Sequence, residues 1–237
     1  MFDPGGFWQD FADRFYNNFI QENRWRCITD GLQITLVITF VALLFGLVLG
    51  FVIAIIRVTY DTTGNLGPLN ALVKFYVTVI RGTPTALQLM ILYFVILSSM
   101  GVDKLIAAII GFGLNSGAYV SEIFRAGIMS IDTGQMEAGR SLGLNYIQTM
   151  RRILIPQAIK NVLPAIGNEC ITLLKETSVA SYIAVEDLTQ GGRIIQSRTF
   201  EAFFPLVGVA LIYLVLVMIL QAVFNAIERR FARGDRR

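Results

Sequence analysis

Charged residues disappear from this chain for long intervals and then return in bursts. None occurs between Asp30 and Arg57, and residues 31–56 are apolar enough and numerous enough to cross the ~30 Å hydrocarbon core of a bilayer. Four further apolar segments follow at residues 69–100, 105–128, 158–174 and 203–227, that at 158–174 being the weakest. Within the second, Arg81-Gly82-Thr83-Pro84 predicts either one long helix kinked near Pro84 or two short ones. Gly111, Gly113 and Gly117 break the third, which also holds Asn115, Glu122 and Arg125. The pattern predicts an all-α integral membrane protein with five transmembrane helices.

Before the first span, Phe7, Trp8, Phe11, Phe15 and Phe19 recur at helical spacing with Asp10, Asp13, Arg14 and Asn17 between them. Residues 1–27 therefore read as an amphipathic segment lying at a membrane interface or packed on a neighbouring subunit. They lack the basic stretch and apolar core of a cleaved signal peptide. Residues 28–229 form the membrane domain and 230–237 a basic tail. Basic residues beside the spans place the tail and the segment with Arg140, Arg151 and Arg152 in the cytoplasm. Five crossings then put the N-terminus, the turn around Asp103 and the loop 178–202 outside.

Composition narrows the chemistry. The 237 residues are 54% hydrophobic and 16% charged, with 20 Lys+Arg against 17 Asp+Glu, a balance too even to suggest nucleic acid as a partner. No histidine is present, which removes the usual general base of hydrolases. The two cysteines, Cys27 and Cys170, support neither a disulfide framework nor a metal site. No G-x-x-x-x-G-K-[ST] phosphate cradle occurs, so this chain is not expected to hydrolyse ATP.

One polar stretch separates the third and fourth spans: MEAGRSLGLNYIQTMRRILIP, residues 136–156. Asp132 or Thr133 is placed to cap a short helix ending at Gly143, and Asn145 to cap a second that ends before Pro156. Tyr146, Ile147, Met150, Ile153 and Leu154 fall at spacings of three and four, an amphipathic face that docks either on its own bundle or on a soluble partner.

Glu137-Ala138-Gly139, three residues, Gly143, nine residues, then Ile153-Leu154-Ile155-Pro156 resembles the EAA loop of ATP-binding-cassette (ABC) importer permeases, E-A-A-x3-G-x9-I-x-L-P. Gly139 replaces the third alanine and Ile155 the leucine. The stretches GLQITL (31–36), RGTP (81–84), AYVSEIFRAGI (118–128) and GNECITLLKETS (167–178) resemble the polar amino-acid, HisMQ-like branch of the same type I family. The resemblance extends from about Gly31 to Arg229. It implies a multi-pass permease of a bacterial or archaeal cytoplasmic membrane, importing polar amino acids, with basic ones among the candidates, delivered by an external substrate-binding protein. It also implies a second permease subunit, identical or different, and a separate ABC ATPase that binds ATP and magnesium. The cytoplasmic loop between the third and fourth spans becomes its coupling helix, with Glu137, Ala138, Gly139, Leu142 and Gly143 at the ATPase contact.

Polar groups are costly inside hydrocarbon, so those on the third and fourth spans are candidates for the substrate pathway. Asn168, Glu169, Thr172, Lys175 and Glu176 lie at helical steps on the fourth; Asn115, Tyr119 and Glu122 share a face of the third. The pathway set is Asn115, Glu122, Asn168, Glu169 and Thr172. Plainer alternatives are a structural Glu122–Arg125 pair and a Glu169–Thr172 contact. An ionised Glu169 would favour a cationic side chain or the α-ammonium group. The rival classes are a secondary transporter, an intramembrane serine protease at Ser116, and a structural permease half without a substrate site of its own.

Overall fold

The computed structural model describes residues 4–233, with side chains from Trp8 to Phe231, so residues 1–3, the Phe7 side chain and the last residues of the basic tail, 234–237, lie outside the described residues. Ten α-helices follow one another: α1 (Pro4–Phe15), α2 (Trp25–Thr63), α3 (Gly67–Gly82), α4 (Thr85–Ile91), α5 (Lys104–Met129), α6 (Thr133–Ser141), α7 (Tyr146–Thr149), α8 (Ile155–Glu176), α9 (Leu188–Thr199) and α10 (Phe203–Arg233). Wider π-helical turns extend α1, α4 and α7 at Tyr16–Ile20, Leu92–Ile96 and Met150–Leu154. Among the described residues there is no strand.

Three helices, α2, α5 and α10, are long and apolar enough to cross a membrane, and α3 with the α4 segment makes a fourth candidate bent by 112°. The break realises the two-helix alternative at Pro84, whose missing N–H and restricted predecessor end α3 at Gly82. Helix α2 overruns its apolar window at both ends and stops at Gly64, whose left-handed backbone lets its N–H reach the Tyr60 carbonyl. Apolarity marks where lipid is tolerated; helical hydrogen bonding continues past Asp30 and Arg57.

Helix directions follow from which residues meet. Gly46 lies against Ser116, and Gly50 against Val120 and Ser121, so contacts advance together and α2 runs parallel to α5. Parallel neighbours require the chain to return between them, and the bent α3–α4 pair lies on that return. The third segment is not broken at its glycines: α5 is continuous, and Gly113 and Gly117 instead receive Phe45 and Leu49 of α2. Helix α8 pairs Val162 with Gly127 and Glu169 with Ser116, an antiparallel course beside α5. Its 22 residues rise about 33 Å, enough to span, although its polar content removes it from the strongly apolar set. Pro156 does not end the preceding helix. It sits in the first turn of α8, where its lack of an N–H is tolerated, and the π-helical turn 150–154 carries the chain into it.

The predicted outer loop 178–202 is not an open loop. A 3-10 turn (Thr177–Ile183) leads to α9, whose N-terminus is capped by buried Asp187 accepting from Thr189 N at 3.0 Å and Gln190 N at 3.1 Å. Burial raises the Asp187 carboxyl above its ordinary pKa, against the pull of those N–H groups. Leu188 and Ile195 pack with Ile28 and Val209, tying α9 to the starts of α2 and α10. A Cβ at Gly31 would stand 2.6 Å from the Asp187 carbonyl oxygen, so only glycine admits this approach.

The N-terminal segment folds back on the same end. Buried Asn18 donates to Glu201 Oε2 at 2.7 Å and accepts from Thr199 Oγ1 at 2.9 Å, while Phe11 packs on Phe204 with centroids 5.0 Å apart. Trp8, Phe11 and Phe15 still expose much of their rings.

Candidate functional site

Two polar features stand out, an exposed turn at one end of the bundle and a buried cluster between its helices. The turn is built locally. Asp132 accepts from Gly134 N at 2.8 Å and starts α6. At the other end Gly143, at φ +83°, donates to Arg140 O at 2.9 Å, and Leu144 N donates to Gly139 O at 3.1 Å. This double closure is a Schellman motif, and its left-handed position favours glycine. Asn145 and Gln148 then cap α7 reciprocally, at 2.9 and 3.0 Å.

Gly139 is buried against Thr149, whose Cγ2 would lie 2.5 Å from a Cβ there, a physical reason for glycine where the EAA pattern has alanine. Glu137, Ala138, Leu142 and Gly143 are exposed. Leu142 is 80% and Ile147 73% exposed, whereas Leu154 is buried in the bundle. The predicted amphipathic face is thus divided, its late residues packing inward and its early ones left bare.

The buried cluster joins α4, α5 and α8. Ser116 Oγ donates to Glu169 Oε1 at 2.8 Å, so the Glu169 carboxylate is held from α5 rather than by Thr172. Asn115 Nδ2 donates to Gln88 Oε1 at 3.0 Å and, more weakly, to Thr85 Oγ1 at 3.4 Å. Thr85 Oγ1 lies 3.4 Å from Glu176 Oε2. Gln88 Nε2 also reaches Ile80 O at 2.6 Å and Thr83 O at 2.9 Å, covering carbonyls left open where α3 breaks before α4. The predicted stripe on α8 therefore has two faces: Glu169 and Glu176 turn inward, while Asn168, Thr172 and Lys175 are exposed on the single chain.

Glu122 stands apart from this cluster. It pairs with Arg125 at 3.1 Å, as the i, i+3 spacing suggests, and also with Arg57 of α2, while Arg81 of α3 approaches to 4.0 Å. Four residues that sequence reasoning left without a place in the site, Thr85, Gln88, Ser116 and Arg57, supply its hydrogen bonds and charge. The local signal for Thr85, Gln88 and Ser116 was polarity within apolar segments, whereas Arg57 closes one.

Comparison with known proteins agrees on the kind of molecule. The family model described as "Binding-protein-dependent transport system inner membrane component" matches residues 46–233. The Arginine transport system permease protein ArtQ of Bacillus subtilis (strain 168) is 42% identical over 210 residues, covering 88% of this chain and 94% of the relative. A Putative glutamine transport system permease protein GlnP of Rickettsia bellii (strain RML369-C) is 38% identical, covering 86% and 92%. Among solved structures, a chain from the crystal structure of an amino acid ABC transporter with histidines superposes with a TM-score of 0.80 at 40% identity, covering 86% of this chain and 94% of that one. An inward-facing structure of the MetNI methionine ABC transporter shares the fold, at TM-score 0.76 and 23% identity, with 89% and 99% covered.

Proposed function

The chain belongs to the family of binding-protein-dependent transport system inner membrane components, and from that premise we infer how its two polar features divide the work of an amino-acid ABC importer. It is the permease subunit. Helices α2, α3–α4, α5, α8 and α10 make five alternating crossings, with the N-terminus outside and the tail in the cytoplasm. The basic residues Arg140, Arg151, Arg152, Arg229 and Arg230 gather at the inner end in this orientation.

The α6–α7 turn is the coupling device. The observation that carries this is the turn's bareness: Glu137, Ala138, Leu142 and Ile147 are exposed although the turn itself is tightly closed around Gly139 and Gly143. A preformed knob with uncovered apolar side chains suits a groove on a partner ATPase. That partner supplies ATP and magnesium chemistry. A second permease subunit completes the path, and the outer end around α9 receives the substrate-binding protein.

Substrate passes between α5 and α8. Glu169, positioned by Ser116, supplies negative charge for an α-ammonium group or a cationic side chain, with Asn115 beside Ser116 on α5 and Asn168 and Thr172 on the exposed face of α8. Arginine, histidine and glutamine are the first substrates to compete in an uptake assay.

The test uses the chain reconstituted with its ATPase, second permease subunit and substrate-binding protein in vesicles. Nothing within 4 Å of Gly143 blocks a side chain, so Gly143→Trp acts on backbone conformation and the outer surface rather than on the bundle. Expected is continued ATP hydrolysis with uptake reduced at least ~10-fold, an uncoupling equivalent to ~1.4 kcal/mol or more. Wild-type uptake by this variant overturns the coupling assignment.

A further inference from the structure

The RGTP stretch places a cation, Arg81, in the last turn of α3 beside α5. Its guanidinium lies over the Tyr119 ring at 5.2 Å and 4.0 Å from Glu122. Glu122 is already answered by Arg57 and Arg125, so three guanidinium groups surround one carboxylate and the cluster carries surplus positive charge. The three arginines are not equivalent. The Arg57 and Arg125 side chains are 14% and 27% exposed and hydrogen-bond Glu122, whereas Arg81 is 43% exposed and, among the described residues, its guanidinium closes no hydrogen bond.

With its guanidinium over the Tyr119 ring, Arg81 lines a cavity of about 450 Å³ together with Tyr119, Glu122, Ala126 and Asn161. That volume suits a small metabolite. The cavity shares Ser130 and Asn161 with a second one of about 440 Å³, which reaches Asp132, the cap of α6.

We propose that Arg81, oriented by Tyr119, is a carboxylate subsite on the inner part of the substrate route. It takes the α-carboxylate that every free amino acid carries, so it serves recognition of the class, whereas Glu169 bears on the cationic end. A planar guanidinium matches a carboxylate through two parallel hydrogen bonds, which a lysine cannot reproduce. The inference rests on the amino-acid transport reading above.

The experiment measures binding of labelled L-arginine, L-histidine and L-glutamine to the detergent-solubilised permease–ATPase complex without substrate-binding protein, so that only the membrane site selects. Competition with the unlabelled amino acid and with its methyl ester, which lacks the carboxylate charge, reports on the subsite. The wild-type complex should prefer the free acid by about tenfold, Arg81→Gln should lose most of that preference with about tenfold weaker binding, and Arg81→Lys should fall between. Arg81→Gln complex that co-elutes with the ATPase and keeps the wild-type preference overturns the subsite while leaving the transporter reading intact. Failure of both Arg81 variants to assemble makes Arg81 structural and also overturns it. A loss of uptake by Arg81→Gln that disappears in vesicles of purely zwitterionic lipid assigns Arg81 to an anionic lipid headgroup instead. Absence of binding and of uptake for all amino acids in the wild-type complex removes the transport reading and this inference together.

Discussion

Helix α5 has two neighbours that it meets in opposite ways. Toward α2 the seam is closely packed along its middle, with Gly46 and Gly50 against Ser116 and Val120, and Gly113 and Gly117 under Phe45 and Leu49, and it ends at the Arg57–Glu122 pair. Toward α8 the seam is polar, held by Ser116–Glu169 at 2.8 Å and Ser130–Asn161 at 3.0 Å, and it opens into cavities. Backbones in van der Waals contact have one arrangement that fits, because a packed interface resists gradual deformation. Hydrogen bonds between side chains have alternatives, including water or a ligand. The α2–α5 pair is therefore the rigid part of the bundle, and α8 is the helix that can separate from it. Ser116 belongs to both seams, touching Gly46 while donating to Glu169.

The most damaging test of this contrast is Gly50→Leu. Even a Cβ there would sit 2.6 Å from Val120 Cγ1 and 2.8 Å from the Ser121 backbone nitrogen, so the helices must part. Overpacking of this kind costs about 1–3 kcal/mol, and more where backbone is the obstacle. Loss of the monodisperse complex on size-exclusion chromatography is expected; retention of wild-type thermal stability would show that the seam is not tight.

Ser116→Ala should act differently. The β-carbon that packs near Gly46 remains, but Glu169 loses its donor, a change worth ~1 kcal/mol. Assembly should persist while the uptake KM rises by roughly fivefold, the same ~1 kcal/mol expressed at the substrate. A variant that unfolds instead would make Ser116 a part of the rigid seam alone.

Asn161→Ala should have the smallest effect. It removes a single hydrogen bond to Ser130 in an exposed setting, worth at most ~0.5 kcal/mol to stability. Thermal melting should stay near wild type. A large stability loss would show that the Ser130 end of the α5–α8 seam is as fixed as the glycine seam.

Local devices were readable in advance because their partners are only a few residues apart. Asp132, Gly143 and Asn145 cap where their sequence positions say they should, and Pro84 divides the second apolar segment. The end of the bundle around α9 was harder to read. Polar residues such as Asp187, Thr189 and Gln190 resemble a surface loop, yet Asp187 turns its carboxylate onto backbone N–H groups and Leu188 and Ile195 become core. Pro156 misled as a terminator because proline is compatible with the first turn of a helix that begins there.

From the sequence alone came the membrane class, the apolar segments, the closed α6–α7 turn and the family resemblance, since hydropathy, capping and motif spacing are properties of short stretches. Only the tertiary structure decided that α2 and α5 run parallel, that Glu169 answers to Ser116 across 53 positions, and that Arg81 is the least occupied cation around Glu122. Those facts depend on helix register. One face of a helix fits glycine to side chain in a single alignment, and that alignment determines which distant polar groups meet.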